Sequence, residues 1–446
     1  MTAAILALPR RTFASVRKHR NYRLFFTGQV ISLVGTWMQN IALAWYVIEL
    51  THSAVAVGFL AFCRFAPFTV FGLISGVAAD RFDNRRLVMT TQTASMVVAA
   101  ALTVLAFSGA EILWLAYVLA AAAGTALVFD APGRHALTFQ MVGRDELPNA
   151  VALNASLFNA SRVVGPGVAG VIIAAFGVGV CFALNTVSFL AVLTSLALMR
   201  PEELVPVVRP EQHPSWLKSI REGLGYARRS PRVRLILAMT TVVSTVGFNF
   251  HVLVPVLASE TLDAGPRTFG VLSAAFGGGA LVGALLTASI GRASWKGLIA
   301  GVGGFSVSLL VLAPIQTVVA CAILLFVVGI CFTLWTSNSQ SLLQLAAPDH
   351  LRGRVVSLWL FAFAGLAPLG GLFAGWLSDI GGTELAFFVA GVTGLLMTLV
   401  AVRELAPQYA ARRGGRAASG ALEQGRPAAL EAAAGRPGDD GAPRRA

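Results

Sequence analysis

Twelve stretches of about 20 apolar residues run through this chain, and a helix of that length spans the hydrocarbon core of a bilayer. They lie near residues 23–49, 53–79, 87–108, 111–131, 150–174, 177–199, 235–259, 268–290, 297–314, 317–340, 355–378 and 384–403. Most connections are short; two links, 132–149 and 200–234, are longer. Backbone inside lipid must satisfy its own hydrogen bonds, so each stretch is read as a helix. Of the 446 residues 56% are hydrophobic and 12% charged, against about 25% charged in soluble domains. No aqueous fold could enclose so much apolar surface. The expected class is an all-α membrane protein with twelve transmembrane helices. The sequence through Arg20 has no cleavable signal pattern, so the first helix is expected to target the chain.

Charge gives the orientation. Of the 34 Lys and Arg, all but Arg64, Arg162 and Arg267 fall on one side if the N-terminus is cytoplasmic. The external turns near 51, 109, 176, 315 and 381 carry none. By the positive-inside rule both termini are expected in the cytoplasm. The net charge of +13 is therefore a topology signal, and no nucleic-acid partner is expected. Cys63, Cys181, Cys321 and Cys331 lie in apolar segments without metal spacing and read as packing residues. Within the 200–234 link, Trp216, Leu217, Ile220 and Leu224 recur at helical spacing among Lys218, Arg221, Arg228 and Arg229. That pattern predicts a helix on the inner leaflet, serving as a tether. From Pro407 the chain is rich in Ala, Gly, Pro and Arg, and a disordered tail is expected.

Between the second and third stretches stands Gly76-Val77-Ala78-Ala79-Asp80-Arg81-Phe82-Asp83-Asn84-Arg85-Arg86. The spacing Gly-x-x-x-Asp-Arg followed by a basic pair resembles the loop between helices two and three of major facilitator superfamily transporters. The resemblance implies a gating loop of Gly76, Asp80, Arg81, Arg85 and Arg86. In it the Asp80 carboxylate latches the N-terminus of helix eleven, near Arg354 to Ser357, where free N–H groups favour an anion. Asp83 departs from the usual Gly. The alternative is an ordinary topology loop that contains an acid. The fifth stretch carries Ser161-Arg162-Val163-Val164-Gly165-Pro166-Gly167-Val168-Ala169-Gly170. It resembles the Gly-x-x-x-Gly-Pro-x-x-Gly-Gly signature of drug antiporters, matched at Gly165, Pro166 and Gly170. The resemblance implies a gate built on these residues and Arg162; the alternative is close packing of small residues. Gly365, Pro368, Gly370, Gly371 and Gly375 stand in the corresponding part of helix eleven.

The halves repeat weakly. Tyr22-Arg23-Leu24 corresponds to Val233-Arg234-Leu235, and Arg81, Arg85 and Leu87 fall on Arg292, Lys296 and Leu298, while Asp80 falls on Gly291. Gln140 to Leu147 corresponds to Gln344 to Leu351. Two pseudo-symmetric six-helix bundles are expected, 21–199 and 235–404, with a segment 1–20, the linker 200–234 and a tail 405–446.

Arg64 and Arg162 are the charges placed near mid-membrane, where a charge usually faces an aqueous cavity. They read either as a site for an anionic group or as structural residues on bent helices. No carboxylate falls at that depth. For proton coupling the first candidate is Asp130, beside Arg134, and the second is His251. Gln39, Asn40, Trp45, Asn249, Trp335, Asn338 and Gln340 are expected, with both arginines, to line the cavity. No nucleotide-binding or zinc motif and no catalytic constellation is present, so neither a cofactor nor an enzyme is expected. Asp130 to Gly170, with Leu147-Pro148-Asn149-Ala150, resembles the enterobactin-exporter and macrolide-efflux branch. That implies a monomer in the bacterial inner membrane that exports a small amphiphile, a siderophore, secondary metabolite or drug, in exchange for protons. A lysophospholipid flippase of the same superfamily and a non-transporting membrane sensor are the alternatives.

Overall fold

The computed structural model describes residues 13–206, 216–348 and 351–424, and within them not the side chains of 73, 77, 79, 80, 216–220 and 406–424. The described residues divide at Thr398 into a large unit and a short C-terminal one. In the large unit, helices follow one another in the order α1 Ala14–Lys18, α2 Arg20–Thr51, α3 Ala54–Arg81, α4 Asn84–Phe107, α5 Leu113–Phe176 and α6 Val178–Ala197. After the linker helix α7 (Trp216–Arg229) come α8 Pro231–Gly247, α9 Phe250–Val256, α10 Pro266–Ile290, α11 Trp295–Leu312 and α12 Val318–Ala346. The last two are α13 Arg352–Leu360 and α14 Ala367–Gln424. Among the described residues ten helices are long and apolar enough to cross a membrane.

Two of these are too long for one crossing. At about 1.5 Å per residue, the 64 residues of α5 exceed any bilayer. The helix breaks at Gly143, whose φ of 70° and ψ of −173° are open only to glycine at low cost. α14 breaks likewise at Gly381 and Gly382. With these breaks the ten helices are consistent with the twelve expected spans. The expected link 132–149 is helical except at Gly143. The expected tail is corrected as far as Gln424. Residues 399–424 are helical, because alanine and arginine are strong helix formers and extending a formed helix avoids nucleation. Residues 425–446 lie outside the described part.

In the first half α2, α3 and α4 pack with α5 and α6; in the second α10 and α11 pack with α12. One core cluster of the first half joins Tyr22 and Phe25 to Leu137, Met141, Leu153, Phe189 and Leu196. Its polar edge is bonded, with the Tyr22 hydroxyl donating to the Ala150 carbonyl at 3.0 Å. Asn149, in the stretch that resembles the exporter branch, accepts from the Ser15 backbone N–H and hydroxyl at 3.1 and 2.7 Å. Lys18 pairs with Glu146 beside it. The α1 segment is thereby pinned to the start of the fifth span. The linker helix α7 docks on the second half: Glu222 pairs with Arg354, and the Tyr226 hydroxyl donates to the Ala346 carbonyl at 2.6 Å.

The halves meet chiefly at one end. A Cβ on Gly270 would lie 2.7 Å from the Pro166 carbonyl oxygen, and one on Gly170 would lie 2.7 Å from that of Pro266. Gly58 faces Gly371, and Gly375 faces Ala54, at similarly short range. Asp379 adds a polar tie: its carboxylate accepts from the Ala54 and Val55 N–H groups at 2.8 and 3.4 Å and from the Ser53 hydroxyl at 3.2 Å. These are the otherwise unbonded donors of the first turn of α3, where an anion is favoured. Midway, the Thr69 hydroxyl donates to the Gly365 carbonyl at 2.7 Å. Past it, Gly72 and Gly76 have no neighbour within 4 Å, and Leu285, Leu286 and Ile290 on α10 are exposed. The halves part toward the end that holds the basic loops.

Candidate functional site

Two cavities bear on the site. One of about 80 Å³ is lined by both halves: Trp37, Asn40, Arg64, Phe65, Arg162 and Pro166 from the first, Phe248, His251, Phe269 and Phe276 from the second. The other, about 480 Å³, lies in the first half between Asn40 and Arg64 at one end and Asp130, Arg134 and Asn154 at the other. Asn40 and Arg64 belong to both walls.

Arg64 donates to the Asn40 amide oxygen. Arg162 makes no hydrogen bond to a described residue. Its guanidinium carbon lies 4.7 Å from the ring centre of Phe276, 5.5 Å from Phe332 and 5.8 Å from Trp37, within the range of cation–π attraction. Trp37 belongs to the first half and the two phenylalanines to the second. Neither arginine has an acidic partner among the described residues. His251 sits between Phe65 at 5.5 Å and Phe248 at 6.1 Å and opens to the same cavity.

Asp130 is 2% exposed. Its carboxylate accepts from the Thr91 hydroxyl at 2.9 Å, the Gln92 amide at 2.8 Å and Arg134 Nε at 2.9 Å. Arg134 also reaches the Gln29 side-chain oxygen. Asp130 and the arginine one helical turn on thus form a buried pair in the cavity wall.

Several expected lining residues have structural duties instead. Gln39 is in the larger wall, yet its oxygen accepts from Asn185 at 2.7 Å. Trp45 is outside both walls and stacks on Phe269 at 6.0 Å. Asn249 donates to the Thr245 carbonyl at 2.8 Å and holds the break between α8 and α9. Trp335 is fully buried in the aromatic cluster of Phe305 and Phe332. Asn338 accepts from the Ser294 N–H at 2.9 Å, which braces the start of α11.

In the gating loop, Asp83 is the N-cap of α4 and accepts from the Arg86 N–H at 2.8 Å, a role glycine could not fill. Arg85 donates to the Leu196 and Ala197 carbonyls at 2.8 and 3.2 Å, the free acceptors ending α6. Arg81 and Arg86 are exposed. The Asp80 side chain lies outside the described part. Arg354, expected near it, pairs with Glu222 of the linker helix.

The sequence from residue 11 to residue 417 matches the family described as transmembrane secretion effector. The chain belongs to that family. The chain is 25% identical to the staphyloferrin A transporter of Staphylococcus aureus over 85% of its length and 94% of the relative's. It is 24% identical to macrolide efflux protein A of Streptococcus pyogenes, over 86% and 97%, and 26% identical to the enterobactin exporter EntS of Shigella flexneri, over 89% and 96%. Its fold matches the nucleoside transporter NupG with a TM-score of 0.70 at 11% identity, covering 86% of this chain and 98% of that one. The protein is therefore a multi-pass transporter of the major facilitator type and of efflux character, not an enzyme.

One close approach within the first half makes a direct prediction. A Cβ on Gly165 would lie 2.4 Å from the Trp37 Cβ and 3.1 Å from the Val34 carbonyl. Gly165→Leu is expected to push Trp37 off Arg162 and abolish efflux, measured against protein level in the membrane. Unchanged efflux would remove the helix-five packing from the mechanism.

Proposed function

We propose that this protein is a secondary active exporter of a small amphiphilic molecule in the bacterial inner membrane, working by alternating access with proton antiport. The observation that carries the reading is the seam at one end of the two halves, with one cavity between the halves and a second within the first half. With basic loops cytoplasmic, as are both termini on this reading, the seam closes the outer side and the state is inward-facing. Rocking the halves about the site would present it to the other side. The protein acts as a monomer, since each six-helix half supplies one wall.

Asp130 is the proposed proton carrier, supported by its burial, its pairing with Arg134 and its place in the cavity wall. His251, on the smaller cavity, is the second choice. Asp80 is the proposed cytoplasmic latch of the opposite, outward-facing state, so its bond to helix eleven belongs to a conformation with the halves joined at the basic end.

The test uses inside-out vesicles with an acidic lumen and a pH-sensitive dye, given lipophilic cations, macrolides and siderophores in turn. Cargo-dependent proton release is expected, and Asp80→Asn is expected to cut it about tenfold or more while the protein inserts normally. Full release in a well-expressed Asp80→Asn protein removes the latch. Silence with every cargo, together with uptake of lysophospholipid into spheroplasts, replaces export with lipid flipping.

A further inference from the structure

The central cavity has cations and aromatic rings in its wall and no acid. Arg64, Arg162 and His251 are the ionisable groups among its lining residues, and no carboxylate stands among them. A buried guanidinium without an acidic partner is costly. Arg64 meets part of that cost through Asn40. Arg162 meets it only through ring faces, and two of its three rings, Phe276 and Phe332, belong to the opposite half. A cation–π contact is worth about 0.5–2 kcal/mol, whereas a charge-assisted bidentate bond to a carboxylate or phosphate is stronger.

We propose that the cargo carries an anionic group beside an apolar or aromatic body, and that this anion binds Arg64 and Arg162 and takes Arg162 off Phe276 and Phe332. The anion is then both the handle by which cargo is held and the agent that loosens a tie between the halves. Phe248, Phe250 and Phe269 remain to cover the apolar body. This rests on the transport reading for its consequence but not for its binding step.

The test is calorimetric titration of the purified full chain in detergent with two isosteric probes, 1-naphthoate and 1-naphthylmethylamine. Naphthoate is expected to bind at least about tenfold tighter. In Arg162→Met, and separately in Arg64→Met, that preference is expected to fall below about threefold. Arg162→Lys, which keeps the charge but not the fork, is expected to lie between. Phe332→Leu removes a competitor for Arg162 that does not line the cavity, so it is expected to bind naphthoate more tightly, a gain that misfolding cannot imitate. Equal affinity for the two probes, or an unchanged preference in both Met variants, overturns the anion site. Weaker naphthoate binding in Phe332→Leu overturns the competition. Transport of a lipophilic cation in vesicles by Arg162→Met leaves export standing and rejects the anion requirement. Tight naphthoate binding in a chain that moves no cargo does the reverse.

Discussion

A Gly270→Val protein is expected to insert, fold and fail to transport. Gly270 is on α10, and a Cβ there would lie 2.7 Å from the Pro166 carbonyl oxygen and 2.9 Å from the Gly170 Cα. Both neighbours are backbone, so no side chain can swing aside. The three atoms nearest to that Cβ all belong to the other half, so protein level and thermal unfolding are measured beside transport to separate loss of sealing from loss of folding. Overpacking of this kind costs about 1–3 kcal/mol, so the sealed population should fall about 5- to 150-fold. The measurement is paired. Cargo transport is expected to drop by that factor. In a cysteine-free background, a cysteine at Ser273, which lines the central cavity, is expected to react faster with a membrane-impermeant thiol reagent added from outside. Wild-type transport with unchanged labelling would mean that the Gly170–Gly270 contact is not the outer seal.

The second large effect is expected from Asp130→Asn. The change keeps the shape and one acceptor but removes the charge that Arg134 faces. Arg134 is 26% exposed and Asp130 only 3%, so the cation is left largely buried without its counter-ion. Losing one member of a buried pair costs about 3–5 kcal/mol, and partial exposure of Arg134 with the Gln29 contact lowers this to about 2–3 kcal/mol. Thermal unfolding in detergent is expected several degrees lower. The functional signature is more specific than the loss of stability. Cargo exchange across vesicles without a gradient is expected to persist, while accumulation driven by a proton gradient is expected to disappear. Persistence of gradient-driven accumulation at the wild-type cargo ratio transfers the proton to His251 or elsewhere.

Some features are legible along one dimension, and others depend on rotation about a helix axis. The depth of Arg64 and Arg162 follows from counting along helices, and both meet at one cavity. The small residues of the fifth span announced close packing before any neighbour was known. Trp45, by contrast, was expected in the cavity wall, where Trp37 stands. Eight residues on a helix turn a side chain by about 80°, and in lipid nothing in the sequence marks the difference. A water-facing helix shows its buried face by polarity, but here lipid and core are equally apolar. Trp335, Asn249 and Asn338 follow the same logic: here the Trp335 ring packs in an aromatic cluster and the two amides bond to backbone. Asp379 carried no signal, since its partners Ala54 and Val55 are 325 and 324 residues away. The link 132–149 gave no sign of where the chain turns, and a single glycine, Gly143, makes the turn.

The outer seam has a thermal consequence. Gly58 on Gly371, Gly170 on Gly270 and Gly375 on Ala54 bring together residues whose side chains are a hydrogen or a methyl. Such residues have no rotamers to freeze, whereas immobilising a Met or Lys costs about 1.5–2 kcal/mol. Each closing of the seam therefore orders almost no side chains, and each opening releases none. Warming has little side-chain disorder with which to favour the parted form. The temperature dependence of the two facing states is left to the hydration of the surfaces they expose, which predicts a heat-capacity change as its signature rather than a conformational entropy.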